Sequence, residues 1–551
     1  MATTVLSVSV PAKNDFQHPV EDQQPELEYC VNDSPPWVET SFLAFQHYLT
    51  MLGTTVVIPS IMVDAIGGDD RHRTLVIQAL LFVSGLTTLG QTFFGTRLPA
   101  VIGGSYAFMI PTLTIINSPK LLSIYDSEER FLQTIRAIQG ALICASSIQI
   151  ALGFSGVWGV FSRSVLKDFL LSFVVTNSTR FMCPMTIAPV IMMTALGIYE
   201  YGFPGVGKCV QIGLPQLALI LILSQYLKSV KLRPQGIPVF ERFPIIFSMA
   251  LIWAYAQVLT LSGAYRHSSP LGQMHCRTDR ANLISSAPWV RVPYPLQWGT
   301  PTFSASHVFG MMAAVLVSLV ESTGTFYGLS RLSGATPPPS HVLSRGIGWQ
   351  GIGIMLCGMF GTATGCTALV ENAGLIGLTR VGSRRIVQLS AILMIFFSVF
   401  GKFGAILASI PVPLFAAVYC ILAGVLASTG FTFLQFANLS SRRNLFILGF
   451  SLFLGLSVPQ YFREFADSAG HGPVHSGANW FDDALNVTFS SNAAVTLMVA
   501  VLLDNTLDIG APNAKNRGVN WWSKFYNFGD DVRSEEFYKL PLNLNDYFPQ
   551  A

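Results

Sequence analysis

Charge is what this chain lacks most. Of its 551 residues only 11% are Asp, Glu, Lys or Arg, while 51% are hydrophobic, against roughly 25% charged in a soluble domain; water is excluded as its main solvent. Charge of one sign is scarce too. A net charge of +3 spread along the chain excludes the dense basic surface that nucleic-acid binding requires. The eight cysteines, Cys30, Cys144, Cys183, Cys209, Cys276, Cys357, Cys366 and Cys420, form no CxxC pair and no Cys/His metal spacing. Most lie inside apolar runs, and they read as small buried residues without a redox or metal role. A Ser/His/Asp order and a phosphate-binding loop are also missing, so no enzyme, cofactor or metal is expected. The first 36 residues are polar, acidic and carry Pro11, Pro19, Pro25, Pro35 and Pro36. No apolar run follows a basic start there, which excludes a cleavable signal peptide. Residues 1–36 read as a disordered cytosolic tail, with the first apolar segment as insertion signal.

What is present is apolar length. Forty Phe and 47 Gly fit a bundle that shows aromatics to lipid and packs its helices closely through small residues. About 20 apolar residues cross a bilayer core as a helix. Spans are expected at 38–60, 74–95, 132–154, 182–202, 209–227, 243–262, 304–326, 348–366, 386–409, 412–433, 444–458 and 489–507. Two further stretches, 98–117 and 364–379, are broken by Gly, Pro and polar residues. Counting both gives an all-α membrane protein of fourteen crossings with both termini on one side. The short connections bearing Arg97, Lys228, Lys231, Arg233, Arg242, Arg331, Arg345, Arg380, Arg384, Arg385, Arg442 and Arg443 place that side in the cytosol. The broken stretches are each third in a set of seven, which points to two inverted repeats, 37–262 and 304–507, with a binding site at their centre. A long outside loop, 263–303, joins them, and 508–551 forms a cytosolic tail.

Glu321 lies deep in the apolar run MMAAVLVSLVESTG. A carboxylate there costs on the order of 3 kcal/mol and so faces a cavity or a partner, unless it sits at a helix end among headgroups. Glu371 and Asn372 follow the small residues of the second broken stretch. Unwound backbone is tolerated in a membrane only inside protein or beside a cavity. A helix starting near Asn372 would aim its free amides at the occupant, with Glu371 as acceptor and Asn372 as amide; the plainer alternative is a capping acid. In the first broken stretch Gly103 and Gly104 permit an extended piece and Pro111 a short helix. The two extended pieces are expected to pair antiparallel, and Tyr106 or Phe108 to stack on a flat ring or simply to pack. His47, beside Gln46 in the first span, either supports the site by hydrogen bonding or shuttles protons.

The run from Glu371 to Arg380, with Asn372, Ala373, Gly374 and Thr379 in register, resembles the signature of the nucleobase-ascorbate transporter family, an acidic, amide or Pro residue followed by Asn-x-Gly-x-x-x-x-Thr-Arg/Lys. Gln46-His47, Ser105-Tyr106-Ala107-Phe108 and Val320-Glu321-Ser322 are also similar to the family, over about 37–510, and most like its plant branch. The resemblance implies a core domain from spans one to four and eight to eleven, and a gate domain from spans five to seven and twelve to fourteen that forms a homodimer. It implies elevator-type secondary transport coupled to a proton ahead of sodium, at the plasma membrane. By motif position Glu321 and Glu371 bind the solute, with backbone amides near Tyr106 and Ala373 assisting. Glu at 371, rather than Pro, implies a nucleobase such as uracil, xanthine or another purine. An ascorbate carrier should instead show a cation aimed at the centre, and none is found in the sequence. A neutral Glu321 would donate to a base carbonyl while Glu371 accepts from ring N–H groups, since burial disfavours an ionised carboxylate. Two departures stand out. Thr325 occupies the place where some family members carry a second titratable group, and residues 164–180 read as an insertion between Arg163 and Phe181 that keeps a transport-inactive membrane protein as an alternative.

Overall fold

The computed structural model describes residues 27–159, 183–228, 230, 238–266, 269–278, 288–469, 471–507, 532–541 and 544–545. The expected insertion at 164–180 lies outside the described residues. The first half builds α1 (Trp37–Ile66), α2 (Asp70–Phe93), β1 (Ile102–Gly104), α3 (Met109–Ile116), α4 (Ser127–Phe154), α5 (Pro184–Leu196), α6 (Val210–Leu221) and α7 (Pro244–Leu261). The second builds α8 (Ala305–Leu332), α9 (Ser340–Phe360), β2 (Cys366–Ala368), α10 (Val370–Thr379), α11 (Arg384–Val399), α12 (Val412–Leu434), α13 (Arg442–Ala469), α14 (Asn479–Phe489) and α15 (Asn492–Thr506), followed by α16 (Val532–Tyr538). Local chemistry sets the ends. Asp69 and His72 form a capping box at the start of α2, and Gly361, at φ 66°, turns the chain out of α9.

Among the described residues eight helices are long and apolar enough to cross a membrane, or nine when Trp480–Phe489 and Asn492–Thr506, bent by 83°, count as one. The chain is therefore a multi-pass membrane protein. The fourteen crossings expected from the sequence are not reached on this measure, because several stretches are short or polar. α9 starts at Ser340, not 348, and carries the buried Arg345 and Gln350. The last expected span, 489–507, belongs to a bent pair whose first arm begins at Asn479.

Two sets of helices can be distinguished. α9 lies along α4, and α11 packs on α1 and α2; α12 lies on α5 and α6, and α15 on α5 and α13, while α8 touches both α4 and α5 and α10 reaches from α1 and α8 across to α12. Between them the two broken stretches meet as an antiparallel ribbon, Ile102 opposite Ala368, Gly103 opposite Thr367 and Gly104 opposite Cys366. Buried backbone groups need partners, and neighbouring helices provide them: Thr88 Oγ1 accepts from Ile102 N (2.9 Å), Gln350 Nε2 donates to the Cys366 carbonyl (3.1 Å) and Ser322 Oγ accepts from Ala368 N (3.1 Å).

Two expectations are corrected. Cys209, at the foot of α6, and Cys276, 67 residues on in the long loop, form a disulfide; no local spacing announces a pair so far apart. Residues 27–36 are not a loose tail, since Tyr29 bridges to Val381 and Cys30 and Val31 are buried. The C-terminal α16 is likewise docked: Phe537 and Tyr538 are buried, and Arg345 and Arg384 donate to their carbonyls at 3.0 Å.

Candidate binding cavity

Beside the ribbon lies a cavity of about 220 Å³, small next to the roughly 300–1,000 Å³ of sites for drug-sized ligands. Its walls include Thr54 of α1, Tyr106 and Ala107 of the turn before α3, Thr194 of α5, Glu321 of α8, Val370 and Glu371 of α10, Tyr419 of α12, Arg463 of α13 and Ser491 and Asn492 of α15. Both carboxylates picked out in the sequence therefore face one space. Ser322 explains part of this, because its bond to Ala368 N sets Glu321 against one side of β2 while α10 starts from the other.

Glu371 occupies the first turn of α10, whose N-cap Leu369 makes no side-chain hydrogen bond. The opening amides of a helix have no partner of their own within it. Glu371 is 3% exposed, and its Oε1 is buried without a hydrogen-bond partner. An unpaired buried acceptor costs about 1–3 kcal/mol, so this atom asks for a donor. Glu321 is half-buried and accepts from Ser491 Oγ at 3.4 Å.

Asn372 and Ala373, expected to contact a solute, do not line the cavity. Asn372 Nδ2 donates to the His47 carbonyl (2.9 Å) and meets His47 Nδ1 (3.2 Å), tying α10 to α1. With the amide nitrogen as donor, His47 Nδ1 is the acceptor in this arrangement. The Ala373 amide donates to the Leu369 carbonyl (3.2 Å) and the Ala107 amide to Ser105 Oγ (3.2 Å), so neither is free for a ligand.

The rest of the motif is packing and anchorage. A Cβ on Gly374 would run into the Leu422 carbonyl of α12, so only glycine allows this approach. The Thr379 carbonyl accepts from Arg242 Nη1 (3.1 Å), and Arg380, at φ 58°, pairs with Glu241 (3.2 Å). Gln46 binds the Arg242 carbonyl (3.2 Å) and the Ile246 amide (3.4 Å), holding α1 to the start of α7 away from the cavity. Tyr106 stacks on Tyr201, centroids 3.7 Å apart and 13° from parallel; Phe108 is fully buried, its ring filling the space where a Cβ on Gly365 would sit. Thr325 returns its hydroxyl to the Glu321 carbonyl at 3.0 Å.

Arg463 corrects the expectation that no cation faces the centre. It lies beyond residue 458, where the sequence suggests a span end, but α13 runs on to Ala469. Its charge is engaged: it pairs with Glu200 (2.6 Å), donates to the Ser490 carbonyl (3.1 Å) and bonds Asn492 Oδ1. Tyr419 and Ser491 were also missed, being an aromatic and a serine like many others in apolar runs.

Residues 38–464 match the permease family. Nucleobase-ascorbate transporter 2 of Arabidopsis thaliana is 57% identical over 537 residues, 98% of this chain and 99% of that protein. Nucleobase-ascorbate transporter 1 of the same plant is 55% identical over 536 residues, 97% of this chain and 99% of that protein. Among solved structures, the transmembrane domain of a cyanobacterium bicarbonate transporter covers 78% of this chain and 97% of its own at 12% identity, with a TM-score of 0.39, a likeness too slight to bear on the cavity.

Proposed function

The chain belongs to the nucleobase-ascorbate transporter family, and on that premise we propose that it carries a nucleobase, uracil, xanthine or another purine, across the membrane together with a proton. One observation carries the reading: Glu321 and Glu371 wall the same small cavity, and Glu371 Oε1 has no partner within the protein. A flat ring edged with N–H and C=O groups meets that need. In this reading Glu371 accepts from the ring, and Glu321 enters neutral and donates, so that solute and proton travel together. His47 and Asn372 hold the start of α10 in place.

The cavity lies between the two packed sets of helices, with α1, α3, α8 and α10 on one side and α5, α12, α13 and α15 on the other. This supports reading the sets as a moving core and a fixed gate, built from two inverted repeats of seven segments, with the gate making the homodimer. A plasma-membrane location with cytosolic termini completes the proposal.

Uptake of radiolabelled uracil, xanthine, adenine and ascorbate by cells with and without the chain, at two pH values, tests it. The expected result is base uptake that rises at the lower pH, and a Glu321→Gln variant that keeps part of it but no longer responds to pH. Uptake by that variant with the wild-type pH response defeats the proton role. A second reading, transport of anionic ascorbate, draws on Arg463 in the wall, although Glu200 already meets its charge; ascorbate uptake without base uptake decides for it.

A further inference from the structure

Tyr419 of α12 is 3% exposed, lines the cavity, and its hydroxyl is buried without a hydrogen-bond partner. Buried tyrosines ordinarily pair that group. Thr54 is the polar residue within reach of it, but the hydroxyl makes no hydrogen bond of good geometry, and Thr54 donates to the Met51 carbonyl at 3.2 Å. The surroundings keep room for the phenol: a Cβ on Gly53 would collide with the Tyr419 hydroxyl.

Helix register places this group opposite Glu371. A Cβ on Gly374 meets Leu422 of α12, and one on Gly377 meets Val425. The two contacts advance by three residues on both helices, so α10 and α12 run parallel at this seam. One step back along the same faces brings Glu371 level with Tyr419, since residues three apart share a helix face. Both atoms left unpaired, one a carboxylate acceptor and one a phenolic donor, thus stand in register across one small space.

We propose that the Tyr419 hydroxyl is a substrate contact that donates to a ring carbonyl while Glu371 Oε1 accepts from the N–H beside it. The ligand edge selected is a cyclic amide or imide. This rests on the transport reading above and sharpens it: oxo-bases are favoured over adenine, which has no carbonyl, and the bound ring joins α12 to α10.

The test uses the full-length chain and whichever of uracil and xanthine the wild type takes up. Competition by that base and by its thiocarbonyl analogues, in which sulfur replaces each carbonyl oxygen in turn, is measured for wild type and Tyr419→Phe. One neutral hydrogen bond of about 1 kcal/mol corresponds to about fivefold in affinity. In the wild type, sulfur at one position is expected to weaken binding about fivefold. In Tyr419→Phe the oxo-base weakens by the same factor and the sulfur penalty at that position disappears. The ligand-free melting temperature of the variant should not fall, because no bond is lost. A sulfur penalty that persists in Tyr419→Phe overturns the proposal while leaving transport intact, as does a lowered ligand-free melting temperature with equal weakening of every analogue. Absence of base uptake by the wild type overturns both readings together.

Discussion

The stretches 98–117 and 364–379 follow one backbone plan, a three-residue strand and then a short helix, and they pair with each other. Their chemistry differs. In the first, a turn of 3-10 helix from Tyr106 to Phe108 precedes α3, and Ser105 caps it with its own hydroxyl, so the backbone there is satisfied internally. In the second, α10 begins at once after β2, without a side-chain cap, and its first turn carries Glu371. The first stretch therefore presents an aromatic face, already covered by Tyr201, and the second an unmet acceptor. Support is unequal too, because His47 holds one end of α10 and Arg242 the other. The lesson is that a repeated trace fixes where groups can stand, and each copy's capping decides which of them remain available.

Four substitutions sharpen this contrast. Removing the acceptor should have the largest effect: Glu371→Ala is expected to lower base uptake by roughly 100-fold, near the upper end for a charge-assisted hydrogen bond in a buried site. Uptake within a few-fold of wild type would make the two stretches chemically equivalent. Next, added bulk should separate the surroundings of the two stretches. Gly374→Ala forces a methyl group onto the Leu422 backbone, which cannot yield, and overpacking of this kind costs about 1–3 kcal/mol. Gly103→Ala meets only a side-chain methyl of Leu369, 2.8 Å away and able to turn. The melting temperature of the purified protein should drop clearly for the former and far less for the latter; equal drops would remove the distinction. Smallest is the aromatic pair. Tyr201→Leu should weaken solute binding only a few-fold, since an aromatic stack is worth about 0.5–1.5 kcal/mol, and a loss as large as that of Glu371→Ala would reverse the ranking of the stretches.

Much of this was legible before any coordinates. A carboxylate in an apolar run, and a pair of Gly-broken segments at matching places, are local signals with strong physical reasons behind them, so Glu321, Glu371 and the ribbon could be singled out. Groups whose meaning depends on distant partners could not. Arg463 acquires its place from Glu200, and Cys209 from Cys276. Tyr419 looks like any membrane aromatic until Gly53 and Gly374 show how closely α12 approaches. Asn372 follows Glu371 in sequence and so suggests a second group facing the cavity, but successive residues on a helix point about 100° apart, and its amide turns to His47.

Arg384 touches both extremes of the described chain. Its backbone amide donates to the Val31 carbonyl (3.0 Å) and its guanidinium to the Phe537 carbonyl (3.0 Å), while Ser534 meets Thr336 at 2.8 Å in the next loop. A growing polypeptide folds as it leaves the ribosome, earlier parts first, yet this patch cannot close until residue 538 has emerged. Without α16, Arg345 and Arg384 would lose the carbonyls of Tyr538 and Phe537 and keep those of Gly95 and Arg97; since buried charge left short of partners is costly, this late-emerging helix is part of the folded body and not an appendage to it.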